Sequence, residues 1–397
     1  MTSDKIGYAS NLSALNIPMT ATHQQHRFST RLAFLVAGIG MSAWAPLVPF
    51  AKDRAGLDAS QLGLMLLCLG IGSLAAMPVT GAMTARFGCR PIAFLSGLLV
   101  CLILPLLAWV ASPLLLALTL LVFGAAMGTL DVSMNIQAVI VEKHSGETLM
   151  SGFHGLFSVG GIVGAGGMAL LMSAGMAPLV ATVLVAGLCA LLMLVARPFL
   201  LAQTEPGGGG SLFVRPRGAV MLIGLLCCVS FLAEGAVLDW SALLLTDGGL
   251  AANQGGLGYA VFAVAMTVGR LTGDRIVRRW GGKRVLVAGS ICTAAGFFVA
   301  VMAPSPLLAL LGFMLVGIGA SNIVPVLFRA AGNQSDMPPG LAISAVTTAG
   351  YAGILAGPAL IGFVAEAISL HLAFAALGVG MLVIAVSAPR FGKLLAG

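Results

Sequence analysis

The sequence predicts an all-α polytopic membrane protein with twelve transmembrane helices. Three observations carry this prediction. Of 397 residues, 59% are hydrophobic and only 8% charged, whereas a soluble domain is nearer 45–50% apolar. The apolar residues fall in runs of about 20, the length that crosses a bilayer as a helix, and only helices or closed barrels satisfy their backbone in lipid. Glycine is abundant, at 53 residues, as expected where membrane helices approach closely.

In chain order, the apolar runs give spans at 31–50, 60–82, 92–110, 114–140, 149–173, 177–196, 219–245, 254–275, 285–303, 306–330, 341–366 and 371–389. Residues 1–30 are polar and lack the apolar segment of a cleavable signal, so they read as a cytoplasmic tail and the first span as retained. Residues 31–196 form one six-helix bundle and 219–390 a second. The segment 197–218 reads as a cytoplasmic linker made flexible by Gly207 to Gly210, and 391–397 as a short tail. Seven cysteines lie mostly inside apolar runs, without CxxC or metal-type spacing, and read as reduced packing residues.

The two halves align at a constant offset of 193: Gln61 with Gln254, Gly63 with Gly256, Arg86 with Arg279, Gly88 with Gly281, Gly124 with Gly317, Ser151 with Ser344, Gly160 with Gly353 and Gly164 with Gly357. Six plus six spans running the same way make a parallel repeat about an axis along the membrane normal. With both termini inside, all of the 20 Lys and Arg residues except Lys52 and Arg54 fall on the inner side. The positive-inside rule then predicts cytoplasmic termini. The net charge of +7 is thus a topology signal and not a nucleic-acid surface.

The turn between spans two and three, Gly81 to Arg90, repeated at Asp274 to Arg284, resembles the signature loop of the major facilitator superfamily, Gly-x-Leu-x-Asp-Arg-x-Gly-Arg-Arg. Ala85 and Arg278 stand where that pattern has Asp. The resemblance covers essentially everything after residue 30. It implies the facilitator fold of two six-helix bundles and makes Arg86, Arg90, Asp274 and Arg279 gate candidates. With the usual Asp absent, the latch between the halves is expected to be weakened or moved to Asp274. The segments 131–138, 153–161 and 234–245 look like the YbjJ-type branch, distantly similar to fucose permeases and MosC-type proteins.

Ionisable residues inside a membrane span are costly and serve as functional candidates. Asp131 lies about ten residues, or roughly 15 Å, from the inner end of span four. Gly124, Gly128, Asp131 and Asn135 share one helical face, and His154 falls at a similar depth on span five, where it would meet Asp131 or Asn135. An interhelical hydrogen bond without transport chemistry is the alternative. Glu234 lies midway along span seven with no Lys or Arg expected at its depth, so it would be protonated, paired with His154 or a ligand cation, or facing water. Trp44, beside Pro46 and Pro49, would stack on a sugar ring or anchor at the lipid surface. Asn322 is a candidate hydrogen-bonding residue for a ligand, and Asp239 an outer gate. The expected substrate contacts are therefore Asp131, Asn135, Glu234, Trp44 and Asn322, and the expected proton carriers Asp131, Glu234 and His154.

No GxxxxGK[ST], HExxH or GxSxG motif occurs, so no enzyme, cofactor or metal site is expected. The reading is a proton-coupled secondary transporter, monomeric, in the bacterial inner (plasma) membrane. Its solute would be a sugar, polyol or amino-polyol, with anions disfavoured for want of a basic group at the site. Efflux of hydrophobic cations and a facilitator fold that senses without transporting are the alternatives.

Overall fold

A computed structural model describes residues 19–202, 215–250, 256–391 and 394. Lys5, Gly207 to Gly210, Gln254 and Lys393 lie outside them. The chain is all helix among the described residues. The first half comprises α1 (Met19–Ala43), α2 (Val48–Arg54), α3 (Ala59–Phe87), α4 (Cys89–Trp109), α5 (Pro113–Ser145), α6 (Met150–Ser173) and α7 (Pro178–Ala196). The second comprises α8 (Gly218–Asp247), α9 (Leu257–Trp280), α10 (Gly282–Met302), α11 (Pro306–Ala320), α12 (Ile323–Asn333), α13 (Pro339–Ala367) and α14 (Leu370–Ser387). Fourteen helices make twelve crossings because two crossings are broken.

The helix of the first crossing begins at Met19, ahead of the apolar run expected from residue 31. It breaks at Trp44, where a 3₁₀ turn, Ala45–Leu47, leads into α2. Pro46 and Pro49 sit at the starts of these two segments, where a missing N–H leaves no bond unmade. The tenth crossing divides at Ser321 and Asn322, between α11 and α12. Among the described residues, eleven helical segments are long and apolar enough to span a bilayer. α9 is not one of them: it carries Arg270, Asp274, Arg275, Arg278 and Arg279.

The repeat reappears as matched packing. A side chain at Gly124 would meet the carbonyl of Leu69, and one at Gly317 the carbonyl of Phe262. Gly160 faces Leu35 and Gly353 faces Cys228 in the same way, and Gly164 lies tightly against Ile39 while Gly357 lies more loosely against Leu232. In all three pairs both partners are offset by 193. The turns match too: Gly88 and Gly281 adopt φ of 84° and 81°, a region open to glycine. Within each half the main pairings are therefore equivalent, α3 on α5 with α9 on α11, and α1 on α6 with α8 on α13.

The halves meet along two seams, α3 against α13 and α6 against α9. The contacts run from the side that carries the termini toward mid-helix. Ser344 Oγ donates to the Met77 carbonyl at 2.6 Å, Gly81 lies against Ser344 and Gly70 against Leu355. On the other seam Gly155 lies against Leu271 and Gly273 against Ser151. The molecule is closed on its terminus side. There, Arg27 of α1 pairs with Glu147 at 2.7 Å, and that hydrogen bond holds the exposed Glu147 carboxyl below its ordinary range.

Candidate functional site

Asp131 is 9% exposed, on α5 about 20 Å from the Ser145 end. Its side chain meets Asn135, whose Nδ2 donates to the Asp131 carbonyl at 2.9 Å and to Oδ1 at 3.4 Å. Asn135 Oδ1 is buried without a partner. Across the seam, Tyr351 of α13 stands within electrostatic reach of Asp131 and packs on Phe231 at 6.2 Å. No cation pairs with Asp131 among the described residues. The glycines on its face are occupied by a neighbour and not a ligand: α3 lies against Gly124 and Gly128, and Ser73 Oγ donates to the Gly124 carbonyl at 2.8 Å.

His154 does not join Asp131. Its ring sits edge-on between Phe34 at 5.2 Å and Phe328 at 5.8 Å, and its Nε2 is buried without a partner. The expectation failed because a tight turn makes α5 and α6 sequential without packing them along their length; α6 packs on α1 instead. The neighbour of His154 from the opposite half, Phe328, is the repeat mate of Asn135.

Glu234 is not isolated either. Arg270 Nη2 reaches its Oε2 at 3.3 Å, with side-chain exposures of 8% for Arg270 and 16% for Glu234. Arg270 Nη1 donates to Ser158 Oγ of α6 at 3.0 Å, so this guanidinium bridges the halves. Arg270 Nε and Glu234 Oε1 are buried without partners, as are Ser230 Oγ and Ser241 Oγ on the face of α8 that carries Glu234. A span ending at residue 275 would put Arg270 at the inner surface. The helix instead runs on to Trp280, which places Arg270 ten residues, about 15 Å, from that end. The premise that no basic group reaches the site is thus overturned, and with it the argument against anions.

Trp44 is 5% exposed and its Nε1 is buried without a partner, which removes the lipid-anchor alternative. Asn322 lies at the break in the tenth crossing. Its Nδ2 donates to the Gly269 carbonyl at 3.1 Å and to Ser321 Oγ at 2.9 Å, and its Oδ1 is buried without a partner against Gly273. It ties the broken helix to α9. Asp239 is exposed toward the far end of α8.

The gate candidates separate. Asp274 Oδ1 accepts from the Ser151 amide at 3.0 Å and Oδ2 from the Gly152 amide at 2.9 Å. A carboxylate of the second half therefore caps the first turn of α6, a favoured place for negative charge. Arg90 stays within the first half, where it donates to the carbonyls of Leu200 at 2.8 Å and Pro198 at 2.9 Å and so holds the end of α7. Arg86 stacks on Phe87 at 5.3 Å and Arg279 is exposed; neither forms an ion pair among the described residues. Glu142, near the inner end of α5, is buried. It accepts from the Leu149 and Met150 amides at 2.6 and 2.8 Å and forms a two-bond pair with Arg329 of α12. All four N-terminal amides of α6 from Leu149 to Gly152 thus end on two carboxylates, one from each half.

The family model for the Major Facilitator Superfamily matches residues 31–246 and 223–393. An uncharacterized MFS-type transporter of Yersinia pestis is 56% identical, over 93% of this chain and 98% of its own length. The membrane protein MosC of Rhizobium meliloti is 30% identical over 85% and 83%. Among solved structures, the fucose:proton symporter FucP in an outward conformation superposes with a TM-score of 0.75 at 16% identity, covering 92% of this chain and 98% of that one.

Proposed function

This chain belongs to the Major Facilitator Superfamily and is a transporter, not an enzyme; from that membership we propose that it couples movement of a small polyhydroxylated solute to protons by alternating access. The single observation that carries the proposal is Asp131: a carboxylate buried midway along α5, at the seam between the halves, with no cation to pair with among the described residues. A carboxylate without a counter-ion in a membrane interior takes up a proton more readily than it stays charged. Exchange of that proton as the site opens to either side is the coupling step. The solute sits between Asp131, Asn135 and Tyr351 on one side and the Glu234–Arg270 pair on the other. The fold-level likeness to a fucose:proton symporter is consistent with this reading. Efflux of hydrophobic cations is the weaker reading, because Glu234 already holds a guanidinium.

Asp274 and the Glu142–Arg329 pair act as the terminus-side gate. Asp274 must part from α6, and Arg329 from Glu142, before that side opens. The termini face the cytoplasm of a bacterial cell. Arg270 and Arg329 leave the orientation count because they are buried, yet the remaining Lys and Arg stay heavily biased to that side.

The test uses proteoliposomes loaded with a pH-sensitive dye and challenged with pools of sugars, polyols, amino-polyols, sugar acids and lipophilic cations. A pool that drives proton flux in the wild type and at least tenfold less in Asp131→Asn supports the reading. Equal flux in the two proteins would remove Asp131 from the coupling.

A further inference from the structure

We propose that the transported solute carries a carboxylate, as a sugar acid does, and that Arg270 binds it when a proton on Glu234 releases the guanidinium. This rests on the transport reading above and names its substrate class.

The ion pair at the seam is half made. A guanidinium facing a carboxylate fully makes two parallel bonds of about 2.7–2.9 Å. Glu142 and Arg329 are joined in this two-bond way, through Nε and Nη2. Arg270 and Glu234 share one contact, at 3.3 Å. Arg270 Nε and Glu234 Oε1 are each left buried without a partner. Arg270 therefore has bonding capacity that nothing among the described residues fills, and it points from the second half to Ser158 of the first, where a solute between the halves would lie.

Charge decides the class. With Glu234 ionised, the pair is neutral. A proton on Glu234 leaves a buried guanidinium without a counter-ion, an unfavourable state that an anion relieves. A neutral sugar would leave that charge uncompensated, and an ammonium would face it. One monoanion bound beside a protonated Glu234 restores neutrality at the pair. The other groups near the pair agree with a hydroxylated anion and supply no competing counter-charge at Arg270. Tyr259 of α9 and Cys227 of α8 lie within electrostatic reach of Glu234, and His154 of α6 within reach of Arg270. Asp239 lies within electrostatic reach of Tyr259 toward the far end of α8, and Asp131 within reach of Tyr351 across the seam. Ser230 and Ser241 offer unpaired hydroxyls along the Glu234 face, suited to solute hydroxyls.

The test compares D-gluconate, D-galactonate and D-glucuronate with D-glucose and myo-inositol, matched in size and hydroxyl content. Thermal unfolding of the purified full chain is followed with each, at pH 5.5 and pH 8, and proton flux in proteoliposomes in parallel. At least one acid is expected to raise the melting temperature, about tenfold more potently at pH 5.5, with the neutral compounds inert. Arg270→Met should abolish the shift, Arg270→Lys retain a weakened one, and Ser158→Ala, the mildest change, weaken it severalfold. Glu234→Gln should bind the acid equally at both pH values. Neutral compounds binding as well as the acids, or acid binding unchanged in both Arg270→Met and Ser158→Ala, would overturn the inference. Neutral polyols that drive Asp131-dependent proton flux while every acid is inert would overturn it and leave the transport reading standing. Silence from acids and neutrals alike, in flux as well as in melting, would count against both.

Discussion

At the scale of single residues, the buried charges arrange themselves by how completely each is satisfied. Among the described residues, Glu142 has Arg329 and two amides; Asp274 has two amides; Glu234 has one bond to Arg270; Asp131 has only Asn135. Satisfaction falls from the terminus side toward mid-helix, as expected if the first pair holds structure and the last carries chemistry. Arg329→Met is accordingly predicted to destabilise the folded protein by about 3 kcal/mol, since breaking a buried ion pair leaves a charge uncompensated. The double variant Glu142→Gln with Arg329→Met should recover part of the loss. Thermal melts of the single and double variants in detergent check this, and a single-variant loss below about 1 kcal/mol would disagree with it. Asp131 and Glu234 are legible in the sequence because acids are rare in apolar runs. Arg270 and Arg329 are not, because a basic residue near the end of an apolar run is ambiguous between a snorkelling boundary residue and a buried one. The length of the helix resolves that ambiguity, and helix ends are the least certain part of any reading by pattern.

At the scale of elements, glycine sets the distance between helices. Gly124 on α5 and Gly317 on α11 each accept a backbone carbonyl from a neighbouring helix, Leu69 on α3 and Phe262 on α9. A Cβ there must push the helices apart, and overpacking of this kind costs about 1–3 kcal/mol. Gly124→Val and Gly317→Val are predicted to lower thermal stability by similar amounts. Gly166→Ala, with open space where its Cβ would go, should be neutral or slightly stabilising. Melting curves of the three variants decide it, and a harmless Gly124→Val would show that this seam is loose. The fixed spacing of these glycines makes the repeat readable from the sequence alone. The two broken crossings are less readable. Pro46 and Pro49 announce the first. The second, at Ser321 and Asn322, has Pro325 four residues after Ser321, with no N–H to bond the Ser321 carbonyl, and the Asn322 side chain, bonded to the Gly269 carbonyl, ties the break to α9. Sequence order also misleads once: α5 and α6 are neighbours in the chain but not in packing, so His154 sits with Phe34 and Phe328 and apart from Asp131.

At the scale of the whole molecule, two similar halves carry dissimilar chemistry. The repeat mates of Asp131, Asn135 and His154 are Val324, Phe328 and Thr347, and the mate of Arg270 is Met77. Matched packing gives both halves one shape, while unmatched polar residues place a lone carboxylate in the first half and a bridging guanidinium in the second. The terminus side is asymmetric as well. Asp274 caps α6 from the second half, whereas the corresponding contact on the other seam is Gly81 packed against Ser344.

The most direct measurement of the central claim is accumulation of a labelled solute against its gradient in proteoliposomes with an imposed pH difference. The solute is taken from whichever pool drives proton flux. Wild-type protein should concentrate it several-fold when the inside is alkaline and only equilibrate it without the pH difference. Asp131→Asn should still exchange labelled for unlabelled solute but fail to concentrate it. Accumulation by Asp131→Asn at the wild-type level would contradict the account, because the proton would then travel by another route.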